Sequence, residues 1–475
     1  MVSRALLGLL LLGSASVALA CGDAPVTEAE IRSDIAVLAS DEFLGRQPAT
    51  AGETLTLSYI GGALHRSGLR GGMADGGWYQ RVPMVRFLDV AQARMSATRN
   101  GAPVAISSDA FALRSYPGNF QGTYPVVYIG DGRDGSVEAP AGVAGKVVLM
   151  TTPTGLSNSD MRQRQAALGR AGAIATLTVL PPTANPAQLR SAWTRRAEWT
   201  GEWGAMRATG GVTPALATAL GAPATAEKLD TARDLGVELT LDVASATYDA
   251  PTYNLVAKLP GRRPERGAIL LTGHWDHLGA ECRPASAPDR ICNGAVDNAS
   301  GIAALLAVAR RLGSGPRLDH DVYVIATTAE ELGLVGARQF VASLPLPKDR
   351  IRAVLNVDTI AIAPRGAPMA IVGRGANPWL DAVLDQTARS LGRAVDTDLE
   401  ANAFIMRQDG AAFVADGIPA VMAGGSFADL APLQRYLSGP YHGPDDELTD
   451  ATPLGGAADD ADLHVAAVRA LDRMR

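Results

Sequence analysis

The stretch A-I-L-L-T-G-H-W-D-H-L-G, residues 268–279, decides the fold. Ala268 to Thr272 is a short, continuous apolar run, the pattern of a strand buried on both faces. It stops at a glycine followed by two imidazoles and a carboxylate. The same texture returns at Asp321 to Thr327, Ala353 to Val357, Met369 to Val372 and Ile418 to Met422. Between the first two runs, Ala299 to Leu312 is apolar nearly all round. Arg310-Arg311 and then Gly313 read as its stop, with cations at the negative end of a helix. A helix of that kind must pack against a sheet. Strands alternating with helices from Tyr253 onward therefore argue for an α/β layer sandwich.

Open α/β sheets place their sites where strands end, and here those ends carry the chemistry. His274 and Asp276 follow the first strand, and Asp297, in G-A-V-D-N-A-S-G, stands just before the apolar helix, with Asn298 and Ser300 available to cap it. Glu330-Glu331 follow the strand ending at Thr327, Asp358 closes Ala353 to Val357, and His442 lies in Y-H-G-P-D-D-E. Residues two apart in extended backbone face the same way, so Asp276 can reach the far nitrogen of His274 and orient its ring.

Each residue alone has an ordinary reading: a structural hydrogen bond, a helix N-terminal acid, a solvated loop, a surface histidine. Together, His274, Asp297, Glu331, Asp358 and His442 are a ligand set for two divalent cations sharing a bridging carboxylate. Three carboxylates, two dications and one hydroxide balance to zero, whereas the carboxylates alone repel. Two cations about 3.5–4 Å apart can activate one water and polarise a carbonyl together. Glu330, with no metal to hold, is the expected general base. Tyr441 is placed to donate to a developing oxyanion. Mixed nitrogen and oxygen ligands suit zinc and also accept cobalt or manganese.

Composition sets the frame. The chain has 475 residues, 47% hydrophobic and 19% charged, enough for a large core and more than one domain. A net charge of −6 gives no electrostatic case for nucleic acid. Arg4, the apolar run Ala5 to Leu12 and Ala18-Leu19-Ala20 read as an export signal over residues 1–20. That run is too short to span a membrane, and no other segment reaches the needed length. Cys21 then stands at the first mature position, where a bacterial lipoprotein carries its lipid, although Ala18-Leu19 depart from the usual preceding pattern. Cys282 and Cys292 are expected to pair in an oxidising compartment.

Helices are expected over Glu28 to Leu38 and Thr54 to Ser67. A different texture fills residues 121–245: short strands at Tyr124 to Ile129, Lys146 to Met150 and Ala173 to Leu180, helical spacing at Met161 to Ala171, and a helical run from Ala224 to Leu235. It reads as a separate module between an N-terminal segment, 21–120, and a catalytic part, 246–475. Within it, Trp193, Trp199 and Trp203 cluster with Arg190, Arg195 and Arg196, as a peptide-gripping rim or as domain-interface packing. His65, His320 and His464 read as structural or surface residues.

These blocks, in this order, resemble the zinc peptidases that include secreted bacterial di-zinc aminopeptidases, glutamate carboxypeptidase and the transferrin receptor ectodomain. The likeness runs from L-A-S-D-E-F-L-G-R near residue 38 to the C-terminal helix. It implies a three-layer α/β/α sandwich with a mixed central sheet, interrupted by a small β-rich protease-associated module. It assigns His274 and Asp358 to one zinc, Glu331 and His442 to the other, Asp297 as the bridge, Glu330 as base and Asp276 as the residue orienting His274. Tyr441 matches the family's tyrosine before the last ligand. M-R-Q-D-G-A-A-F resembles its Arg-x-Asp segment, making Arg407 and Asp409 candidates for supporting or substrate contacts, and His277 is expected beside the ligands. Departures are Val296 where an acid is frequent, Trp275 for Tyr, and a longer loop at Ala280 to Ile291. The implied activity is a peptide-cleaving exopeptidase, most simply an aminopeptidase. A carboxypeptidase, an amidohydrolase, a one-metal glutaminyl cyclase or a non-catalytic binding homologue are the alternatives.

Overall fold

The computed structural model describes residues 24–131, 138–151, 158–194, 197–198, 200–201, 203–223, 227–283 and 285–474. The export signal, Cys21, Arg195, Arg196 and Trp199 lie outside them.

Two mixed sheets organise the described chain. In the first, Ala268–His274 lies at the centre, parallel to Asp321–Thr327 on one side and Ile351–Asn356 on the other. Ala420–Gly424 extends it in parallel, and antiparallel strands close both flanks: Thr252–Leu259 beyond Asp321–Thr327, Ala370–Val372 beyond Ala420–Gly424. Every residue of Ala268–His274 and Asp321–Thr327 is buried. Alternation explains how: Ile269 and Leu271 face a core containing the helices Glu28–Leu38, Ala51–Arg66, Gly301–Ser314 and Leu454–Arg473. Ala268 and Leu270 face the other way, onto Phe340 and Phe413 of the helices Val335–Ala342 and Gly410–Ala415. Helices on both faces of a mixed sheet make the three-layer sandwich. Gly273 permits the close approach above the strand end, since a Cβ there would stand 2.7 Å from the Val357 carbonyl.

The helix expected from Ala299 is entered through a wide turn, Ala295–Ser300, and regular helix begins at Gly301. The Asn298 side chain caps it by accepting the Gly301 N–H at 3.0 Å. Gly313 does not stop this helix, which runs to Ser314. Arg311 is instead an anchor, donating to the carbonyls of Ala24 and Pro25 and to Glu30. The second helix starts at Ala51, ahead of the expected Thr54.

The second sheet holds Phe120–Gly130, Val147–Met150, Ala175–Val179 and Ala208–Val212, with helix Asn158–Arg170. Two differences from the sequence reading share one cause. Of the run expected to be helical from Ala224 to Leu235, the described part from Lys228 is strand: Lys228–Asp249 is a long strand, its Val237, Leu239, Leu241 and Val243 buried at a strand's period of two. That strand pairs along Val85–Arg99, and Phe111–Ser115 joins the same sheet, so the second unit draws in residues well before 121. Long-range strand pairing, invisible to local periodicity, overrides the weak helical spacing.

Trp193 and Trp203 do not form an outward rim. With Phe87 they pack around the Arg114 guanidinium at 4.7, 5.8 and 4.9 Å, and Arg114 pairs with Glu198. Arg190 donates to the Phe111 carbonyl.

Candidate metal centre

The ends of the central strands deliver His274, Glu331 and Asp358, and the turn before a helix and the loop after another bring Asp297 and His442 to the same point. Asp297 stands in its middle: its Oδ1 is 3.1 Å from His274 Nε2 and its Oδ2 is 3.4 Å from His442 Nε2. Asp358 Oδ1 lies 3.6 Å from the same His274 nitrogen, and Glu331 Oε2 lies 2.9 Å from His442 Nε2. Thus the two oxygens of one carboxylate face two half-sites. His274, Asp297 and Asp358 converge closely enough to hold one ion, and His277, Asp297 and Glu331 to hold another.

Electrostatics fits a cation here. Burial acts to raise the Asp297 pKa, but its bonds to the two imidazoles win and hold it well below the usual carboxylate range. Burial likewise opposes charge on His442, yet Glu331 and Asp297 push it up to about 11. The imidazoles are made to supply positive charge that bound cations would supply instead. A buried group of carboxylates is costly without such compensation.

Asp276 takes a different part from the one expected. The Nδ1 of His274 is 3.1 Å from the Asp276 backbone carbonyl, while the Asp276 carboxylate stands off at 3.7 Å. That carboxylate accepts the Glu330 N–H at 3.1 Å. A ring nitrogen is oriented by whichever acceptor is better aligned, and the backbone turn after the strand brings the carbonyl closer. Asp276 thereby ties the first ligand loop to the fourth. Burial raises its pKa to about 8.

His277 is closer to the centre than its sequence context suggested, with Nδ1 2.7 Å from Glu331 Oε1. Asp409 is buried beneath the site and accepts from the Thr327 hydroxyl, whereas Arg407 lines the cleft beside Glu330 and Tyr441. The Tyr441 ring stacks on His442 at 3.7 Å between centroids. Burial raises its pKa well above the usual phenol value, so the hydroxyl keeps its proton to donate. Burial, reinforced by Glu331 and Asp358, raises Glu330 well above the ordinary range, with His274 opposing.

Sequence reading missed two supports. Asp446 accepts the backbone N–H groups of Val296 and Asp297 at 2.9 and 3.1 Å and the Tyr436 hydroxyl at 2.8 Å. Arg46 is buried and donates to the carbonyls of Leu38, Trp275, Asn293 and Gly294 at 2.6 to 2.9 Å, binding three loops around the centre. Their only signal was membership in the quoted blocks D-D-E and F-L-G-R. Cys282 and Cys292 form a disulfide, with Cα atoms 6.0 Å apart.

Residues 254–462 match the model of peptidase family M28. The chain is 30% identical over 244 residues to leupeptin-inactivating enzyme 1 of Streptomyces exfoliatus, covering 47% of this chain and 48% of that protein. It is 30% identical over 144 residues to the probable lipoprotein aminopeptidase LpqL of Mycobacterium tuberculosis, 28% of each. The matched stretches thus span less than half of either relative. In fold it is similar to an aminopeptidase from Aneurinibacillus (TM-score 0.55, 19% identity, covering 94% of this chain and 93% of that one). It is also similar to BSAP, a zinc aminopeptidase from Bacillus subtilis (TM-score 0.51, 18% identity, 94% and 95%).

Proposed function

We propose that this protein is an exported di-zinc aminopeptidase, a reading supported by the match of residues 254–462 to the model of peptidase family M28. The observation that carries it is the Asp297 carboxylate divided between His274 and His442. In this reading His274 and Asp358 hold one zinc, Glu331 and His442 the other, and Asp297 bridges them. Bound zinc activates a water and polarises the scissile carbonyl. Glu330 takes the proton of the attacking water and passes it to the leaving amine. Tyr441 donates to the oxygen on which charge develops, its ring held by stacking on His442. Asp276 fixes Glu330 through the backbone.

The end-cleaving character rests on shape. Beside Glu330 and Asp358 lies a small cavity walled by Phe404, Phe427, Leu433 and Leu437, apolar groups against which a terminal side chain can pack. Arg407 in that wall favours a second reading, in which the end residue is carboxy-terminal. Glu330, the acid of that wall not assigned to a metal, favours the first reading, with a protonated amine at the end. We read the second sheet as an inserted protease-associated module spanning about 85–249, and residues 1–20 as the export signal. No helix among the described residues is long and apolar enough to cross a membrane.

The test is metal analysis together with a panel of aminoacyl amides, free and N-acetylated. Two zinc per chain and cleavage of free-amine substrates alone are expected. Cleavage of N-blocked peptides with release of the C-terminal residue would establish the carboxypeptidase instead, and one metal per chain would remove the bridged pair.

A further inference from the structure

A groove of about 1010 Å³ is lined by residues of both sheets' units and is separate from the smaller cavity that holds Glu330 and Tyr441. One wall is the helix Pro186–Trp193 and the strands beside it, and the other is Gln47, Leu332 and the loop after Gly279. Gln47, Ala197 and Leu332 of these walls also line a small gap that reaches His277 and Glu331. The groove thus abuts the Glu331 half of the ligand set, whereas the other cavity abuts His274 and Asp358.

The described residues at both ends of the loop after Gly279 are tethered beside this groove. Cys282 is bonded to Cys292, Gly279 bridges Cys292, and the Asn293 side chain is fixed by Asp41 and Glu447. The loop carries Arg283, exposed in the groove, whose guanidinium lies 3.1 Å from where a Cβ on Gly443 would stand, one residue from His442. Four charged residues line the groove. Arg114 is neutralised by Glu198, and Glu281 lies 3.6 Å from Arg290. Among the described lining residues Arg283 alone is charged and without an ion-pair partner.

We propose that the groove seats the part of the peptide beyond the scissile bond, and that Arg283 receives its terminal carboxylate, so that short peptides with a free C-terminus are the preferred substrates. This rests on the aminopeptidase reading above and names its substrate class. An extended peptide advances about 3.5 Å per residue, so a carboxylate two or three residues past the scissile bond comes alongside a guanidinium next to the last ligand. Guanidinium and carboxylate match in charge and geometry.

The experiment compares tripeptides ending in a free acid with the same tripeptides as C-terminal amides, beside an aminoacyl p-nitroanilide that does not reach the groove. Wild type should favour the acid in kcat/KM by about ten-fold, a value kept modest because the arginine is exposed. Arg283→Ala and Arg283→Gln should bring that ratio to one and leave nitroanilide hydrolysis unchanged. Gln188→Trp, filling the groove from the opposite wall, should slow both tripeptides and spare the nitroanilide. A wild-type ratio of one, or equal losses on all three substrates in the Arg283 variants, overturns the proposal while leaving an aminopeptidase. Failure of wild type on the nitroanilide and on every free-amine peptide overturns the aminopeptidase reading itself.

Discussion

Replacing Asp446 by Asn probes how the bridging residue is held. The carboxylate uses both oxygens: Oδ1 for the Val296 N–H, Oδ2 for the Asp297 N–H and the Tyr436 hydroxyl. Asparagine keeps one acceptor and turns an NH2 group toward a donor, whichever way it flips. A hydrogen bond to a charged group contributes ~1.5–3 kcal/mol, so losing one or two of the three, all buried, should cost about 3 kcal/mol. That is a large fraction of a domain's ~5–15 kcal/mol and should lower Tm by several degrees. Displacement of Asp297 should also weaken metal binding by ~10–100-fold, as removal of outer supports generally does. Denaturation of chelator-stripped protein reads the first quantity, and zinc competition against a chromophoric chelator reads the second. Tyr436→Phe, losing one neutral donor, should cost only about 1 kcal/mol. Zinc affinity unchanged in Asp446→Asn despite a lower Tm would refute the positioning role and leave Asp446 as a fold residue.

Glu330→Gln should keep both metals yet lose ~10²–10⁴-fold in turnover, and wild-type turnover would remove it as the base. Replacing both Cys282 and Cys292 by Ser should cost about 2–3 kcal/mol, from the chain entropy of the short loop released. Reductant should reproduce that change in wild type, and identical denaturation midpoints with and without it would contradict the bridge. Glu30 is held down to about 2 by its bond to Arg311, against the opposing effect of burial. A depressed folded pKa stabilises above the unfolded value of ~4.3, and that stability is lost as pH falls from there through about 2. Glu30→Gln should therefore flatten the acid limb of the stability profile in that window, and an unchanged limb would place the acid sensitivity elsewhere.

The central strands were legible because burial on both faces leaves an unbroken apolar run, and each run ends where polar residues must begin. That boundary pointed to His274, Glu331 and Asp358, whereas Asp297 was marked by its place ahead of the apolar helix. The strand Lys228–Asp249 was not legible in its first half, where Lys228 to Leu235 carries little alternation and only pairing with distant strands fixes its conformation.

Residue types and their order along the chain determined the layered fold and the candidate ligands. Only the tertiary structure decided that the backbone carbonyl of Asp276 lies nearer His274 than its carboxylate does, that Asp446 and Arg46 hold the loops, and that a small cavity and a larger groove lie beside the centre. The reason is range. Burial and alternation are written locally, within a few residues, whereas a hydrogen bond such as that from Asp297 to Asp446 joins positions separated by 149, and only the folded backbone sets its length.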